Sequence, residues 1–163
     1  CREQVIGQLI HFVSRNAFNI DGLGEKQIIE LFNNNLIKEP ADIFSLTLTS
    51  QQSKKDRILD LSGWGKLSLS NLINSINNSK NQTLETVLYS LGIRHLGLGT
   101  AKLISKNLNN SNYLINRILN LNNDNKDSLI DELKLINGID SLIVFFKYNI
   151  STFTILLVEK YNT

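Results

Sequence analysis

Ile20-Asp21-Gly22-Leu23-Gly24-Glu25-Lys26 is a glycine corner set between two apolar-periodic stretches, and it recurs. Leu61-Ser62-Gly63-Trp64-Gly65-Lys66 repeats its form, and His95-Leu96-Gly97-Leu98-Gly99-Thr100 does so again. Ile136-Asn137-Gly138-Ile139-Asp140-Ser141 is a worn fourth copy. The leading glycines stand at 22, 63, 97 and 138, so the intervals are 41, 34 and 41 residues. Copies one and two thus reappear as copies three and four after a shift of 75, and seven of the nine glycines lie in these corners. Self-similarity of this kind marks a chain assembled from repeated units.

A Gly-apolar-Gly corner between periodic segments predicts two helices joined by a tight turn. The first glycine supplies a positive φ that strains other residues. The apolar residue (Leu23, Trp64, Leu98, Ile139) is expected to tuck between the helices as a peg, and the second glycine to let backbone approach a ligand. Amides at the start of the second helix lack intrahelical acceptors and sit at the positive end of the macrodipole. An oxyanion, above all a phosphate, suits that place. Lys26, Lys66 and Lys102 are expected in the first turn of each following helix, a poor position for a cation unless an anion docks there. A single corner would mean no more than a glycine-capped helix end. Four in a paired register, three with a trailing cation, mean more.

Working outward, Val5, Ile6, Leu9, Ile10, Phe12 and Val13 recur at helical spacing and predict a helix over 3–17. Residues 25–34 carry Ile28, Leu31 and Phe32 on one face, and Pro40 is expected to stop further helix. Thr49 or Ser50 is placed to cap a helix through 51–60, and a further helix is expected over 67–79. Asn81-Gln82-Thr83 marks a joint, with Thr83 opening a helix from Leu84 to Leu91. Helices are expected over 100–107, around Tyr113 to Leu119, from Asp127 or Ser128 to Ile136 and over 141–148. Phe153–Tyr161 also reads as helix, with Thr152, Thr154 and Ile155 leaving strand open. No alternating strand pattern is convincing elsewhere. The reading is all-α, with residues 1–80 and 81–163 each holding a pair of corners.

Bulk properties narrow the function less. A length of 163 residues suits one or two domains, and the apolar share of 42% is ordinary for a globular chain. A net charge of +2 does not by itself diagnose a polyanionic partner, so positive potential has to be local. One cysteine excludes an internal disulfide framework. No apolar run reaches transmembrane length, and no signal peptide is visible. The 22 asparagines are spread along the whole chain, which reads as a bias of the source, such as an AT-rich genome, and not as a prion-like tract. Starting at Cys1 and lacking methionine altogether, the chain looks like a piece of a longer protein.

The corners are similar to the helix-hairpin-helix pattern, and that resemblance implies non-specific binding of the DNA backbone by paired hairpins across the minor groove. Longer stretches resemble one family more closely. His11-Phe12-Val13-Ser14-Arg15-Asn16-Ala17-Phe18-Asn19-Ile20-Asp21-Gly22-Leu23-Gly24-Glu25-Lys26 resembles a signature of bacterial NAD-dependent DNA ligases. So do Leu88-Tyr89-Ser90-Leu91-Gly92-Ile93-Arg94-His95-Leu96-Gly97, Gly63-Trp64-Gly65-Lys66-Leu67-Ser68 with Asn71-Leu72, and Ala41-Asp42-Ile43-Phe44. The likeness runs from Cys1 to about residue 150.

What the resemblance implies is a four-motif DNA-binding domain with no catalytic residue of its own. The family's adenylylated lysine sits in a Lys-x-Asp-Gly motif that these 163 residues lack. The intact enzyme would carry NAD, magnesium and a structural zinc, with a BRCT domain after this region. Cys1 matches the last of four zinc cysteines, a role open to it only in the full-length protein. The expected partner is nicked double-stranded DNA, and a cytoplasmic bacterial monomer without membrane attachment is implied. The DNA contacts expected are Gly22, Leu23, Gly24, Lys26, Gly63, Gly65, Lys66, Ser68, Arg94, Gly97, Gly99, Thr100 and Lys102. Asp140 puts a carboxylate where the fourth corner would meet phosphate, so that corner is expected to pack more than to bind.

Bland readings compete for the rest. Trp64 is more readily core than a base-stacking residue. Lys54, Lys55 and Arg57 form a run that usually marks a solvated helix face. His11 and His95 lack a ligand set, and Asp124, Asp127, Asp131 and Glu132 lack metal-loop spacing. Two rival functions also remain open: a helical protein–protein adaptor whose hairpins only pack, and a helix-hairpin-helix module from another DNA repair protein.

Overall fold

The computed structural model describes residues 1–94, 96–109, 120, 127, 128 and 131. All regular structure among them is helical. The chain divides into two compact units, Cys1–Gln82 and Thr83–Thr163. The helices expected beyond residue 109 and the fourth corner at 138–140 lie outside the described residues.

The first unit holds α1 (Arg2–Val13), α2 (Glu25–Asn33), α3 (Pro40–Ser45), α4 (Gln52–Leu59) and α5 (Lys66–Ser79). α1 ends earlier than its apolar periodicity suggested. Ser14 turns back on the helix, its Oγ donating to the His11 carbonyl at 2.7 Å. Residues 14–20 then wrap the helix end: Phe18 N–H donates to the Phe12 carbonyl (3.1 Å), and Ile20 N–H to that of Val13 (3.1 Å). Asn19 takes the positive φ (51°) that this reversal needs. The reversal lays the Phe18 ring on Phe12, centroids 4.5 Å apart, and Phe44 of α3 meets both rings edge-on at 5.4 and 5.9 Å. These rings, with Leu9, Ile28, Leu31, Ile43, Ile58, Leu72 and Ile76, form the buried core of the unit.

Pro40 does not stop helix; it starts one. It occupies the first position of α3, where its missing N–H costs nothing and its fixed φ is already helical. Asp42 completes that start, its Oδ2 accepting from the N–H groups of Lys38 (2.8 Å) and Glu39 (3.2 Å). Thr49 and Ser50 are not the cap of α4 either. They form a single 3-10 turn, Thr49–Gln51, and α4 begins only at Gln52.

The second unit is described through α6 (Leu84–Ser90) and α7 (Leu98–Asn109), which pack on each other. Thr83 caps α6 as expected, its Oγ1 accepting from Thr86 N–H at 3.3 Å. Leu84, Val87, Leu88 and Leu91 from one side, and Leu96, Ala101 and Ile104 from the other, are the buried apolar residues among those described in this unit.

Candidate nucleic-acid interface

Three glycine corners can be compared atom by atom. In the first, Gly22 has φ +92° and Leu23 is buried. Gly24 is the extended N-cap residue of α2, and the first intrahelical bond runs from Ile28 N–H to its carbonyl at 3.0 Å. In the second, Gly63 has φ +87° and Gly65 caps α5, with Leu69 N–H donating to its carbonyl at 3.0 Å. The third corner repeats this start one glycine earlier than the sequence letters suggest. Gly97 directly precedes α7, and Ala101 N–H donates to its carbonyl at 2.9 Å.

The register of the third corner is therefore corrected by two residues. Gly97 matches Gly24 and Gly65, and not Gly22 and Gly63. The peg is Leu96, 3% exposed, while Leu98 is 49% exposed and begins the helix. Gly99 sits within the first turn of α7, and Lys102 lies in the second turn, not the first. Among the described residues of this region the positive φ belongs to Gly92 (+62°), five residues ahead of Gly97. The repeated letters Gly-Leu-Gly misled. Burial was the better signal: four and seven residues after Gly24, Gly65 and Gly97 come Ile28 and Leu31, Leu69 and Leu72, and Ala101 and Ile104, all buried. Counting from Gly99 instead lands on exposed Leu103 and Lys106.

The capping glycines share a second property. A Cβ built on Gly65 or Gly97 would meet nothing within 4 Å, and one on Gly24 would meet only the flexible end of Gln27, at 3.1 Å. Gly24 and Gly65 have φ of −80° and −133°, open to any residue. Neither strain nor crowding inside the protein thus demands glycine at these two. With no side chain on the cap, the first-turn amides of α2 and α5 keep no side-chain acceptor from it. Ser68 does serve the second corner, its Oγ accepting from Gly65 N–H and donating to the Gly65 carbonyl, each at 2.9 Å.

Around the corners, Lys26, Lys66, Ser68, Arg94 and Lys102 are exposed and Thr100 is half-buried. Lys26 and Lys66 occupy the second and first positions of their helices. Lys54 is partly engaged elsewhere, 3.4 Å from Asp42, and Arg57 Nη2 donates to the Asn34 carbonyl at 2.7 Å. The basic run on α4 is therefore more than a solvated face.

Contacts that hold the corners had no signature in the sequence. Asp21 N–H donates to Ser75 Oγ of α5 at 2.7 Å, and Gly22 lies against Leu72 of the same helix. Trp64 is half-buried, and its Nε1–H donates to Glu30 Oε2 of α2 at 3.0 Å. Each corner of the first unit is thus seated on the helix that follows the other.

Cys1 is an exposed free thiol whose Sγ donates to Glu3 Oε2 at 2.8 Å. No group of three or more His, Cys, Asp or Glu side chains that could hold a metal ion converges among the described residues. No helix among the described residues is long and apolar enough to cross a membrane.

No family model matches the chain. The DNA ligase of Listeria monocytogenes serotype 4a (strain HCC23) is 51% identical over 102 residues, covering 63% of this chain and 14% of that protein. The DNA ligase of Bacillus mycoides (strain KBAB4) is 38% identical over 151 residues, 90% of this chain and 20% of that protein. That of Orientia tsutsugamushi (strain Ikeda) is 36% identical over 151 residues, 90% of this chain and 22% of that protein. The chain spans about a fifth or less of the length of these curated relatives.

Proposed function

We propose that this chain is the DNA-binding part of an NAD-dependent DNA ligase, a helix-hairpin-helix region that holds nicked duplex by its phosphates without reading sequence. The observation that carries the reading is the emptiness beside the capping glycines. Gly24 and Gly65 have backbone angles open to alanine; a methyl group on Gly65 would meet nothing within 4 Å, and one on Gly24 would need only the end of the Gln27 side chain to shift. Their smallness is explained by something outside the chain that approaches the backbone closely. Uncapped first-turn amides, the positive end of a helix, and exposed Lys26 and Lys66 beside them support an anion as that partner. Repeated along one chain, such sites suit the regularly spaced phosphates of a duplex. The likeness to DNA ligases agrees with this.

In the intact enzyme the adenylylated lysine, NAD and magnesium would belong to other regions, Cys1 would be one of four ligands to a structural zinc, and this chain would supply grip. It would act as a monomer in the bacterial cytoplasm. Phosphate contacts fix position and carry no sequence information.

The test is nicked-duplex binding across a salt series by the wild-type chain and by Gly65→Ala. If about four phosphates are engaged, log K falls with log salt at a slope of roughly −3 to −4. Gly65→Ala is expected to leave thermal stability unchanged and to weaken binding, because its methyl group occupies the phosphate's approach. Salt-independent binding, or strong preference for one sequence, would overturn the reading.

A further inference from the structure

Trp64 is the peg of corner two, yet its indole reaches back to the helix that follows corner one. The acceptor, Glu30 Oε2, lies in the second turn of α2, and both side chains are half-buried. An indole N–H can only donate and a carboxylate only accept, so the pair is directional and charge-assisted. Partial burial of a carboxylate costs solvation that a leucine there would not incur. The complementary tie is Asp21 N–H to Ser75 Oγ, which sets corner one on α5. Two hydrogen bonds, one in each direction, thus fix the offset between the corners of the first unit.

We propose that Glu30 is a positioning residue for duplex binding: through Trp64 it holds corner two in register with corner one, so that the amides of α2 and α5 meet one duplex together. This rests on the reading that the corners hold phosphates. Glu30 touches no DNA in the proposal, and its negative charge taken alone opposes binding. Simple removal of that charge predicts tighter binding, whereas loss of registration predicts weaker binding. The two effects have opposite signs.

The experiment uses the whole 163-residue chain and a nicked duplex at one fixed salt concentration. Trp64 is the only tryptophan, so intrinsic emission reports its surroundings alone. Glu30→Ala is expected to shift that emission to longer wavelength, keep the helical circular-dichroism signal, and weaken binding by about five- to tenfold, the net worth of one typical hydrogen bond. Glu30→Gln keeps an acceptor and is expected to stay within about twofold of wild type. Trp64→Phe should lose as much as Glu30→Ala, and adding Glu30→Ala to it should cost nothing further.

Three results would overturn the proposal. Glu30→Ala could bind as wild type although its emission shifts. Glu30→Gln and Glu30→Ala could lose affinity equally and in step with a lowered melting temperature. Or Glu30→Ala could still lose affinity in the Trp64→Phe background. In each of these the wild-type chain binds and only the role of Glu30 falls. A wild-type chain that does not bind duplex removes the proposed function and this inference with it.

Discussion

Corners one and two of the first unit have nearly the same backbone and opposite surroundings. Gly22 and Gly63 sit at φ +92° and +87°. A Cβ on Gly22 would rest on Leu72 at 3.7 Å, while one on Gly63 would meet nothing within 4 Å. The pegs differ in the same sense: Leu23 is buried, and Trp64 is half-buried and held by a hydrogen bond. One corner is seated by apolar packing, the other by a directional polar tie. The same local turn therefore has two means of attachment, and only the turn is written in the repeated letters.

The largest effect that sharpens this comparison is expected at the pegs. Leu23→Ala should lower stability by about 2–4 kcal/mol in chemical denaturation, since it empties a closed site. The third corner extends the test. Leu96→Ala is expected to cost a similar ~2–4 kcal/mol, and Leu98→Ala less than about 0.5 kcal/mol. Equal costs at 96 and 98 would restore the register that the letters suggested.

Next come the glycines themselves. Both Gly22→Val and Gly63→Val force a β-branched residue to positive φ, a cost of about 1–3 kcal/mol. Gly22→Val should lose about 1 kcal/mol more, because its γ carbons press on Leu72. Equal losses in urea would show that the seat on α5 has enough give to absorb them.

The smallest effect is electrostatic and is read in binding. Lys66→Ala and Lys26→Ala should each reduce the magnitude of the salt slope by about one, with little change in melting temperature. A lysine whose removal leaves the slope unchanged makes no phosphate contact, which would leave its corner to the amides alone.

Much of this was legible in the sequence, for identifiable reasons. Helical periodicity located α2 and α5 closely, since Ile28, Leu31, Leu69, Leu72 and Ile76 are spaced for one buried face. Thr83 announced α6, because a side-chain cap is a local matter. Pro40 is ambiguous in the sequence because the same ring that blocks a helix interior favours its first position, and only the chain before it decides which applies. At the third corner the repeated letters point to one glycine as the helix cap and the spacing to the next buried residues points to another, and burial decides for the spacing. The contacts of Glu30 with Trp64 and of Asp21 with Ser75 span 34 and 54 residues, and nothing local marks them.

The crossed seating of the two corners has a consequence for how the first unit comes apart. Neither helical hairpin can lift away without stripping a support from its partner, so opening of one should expose the other. Backbone amides of α2 and α5 are then expected to exchange with deuterium as one cooperative group. Cutting the chain between α3 and α4 would yield two pieces, each deprived of the helix on which its corner rests.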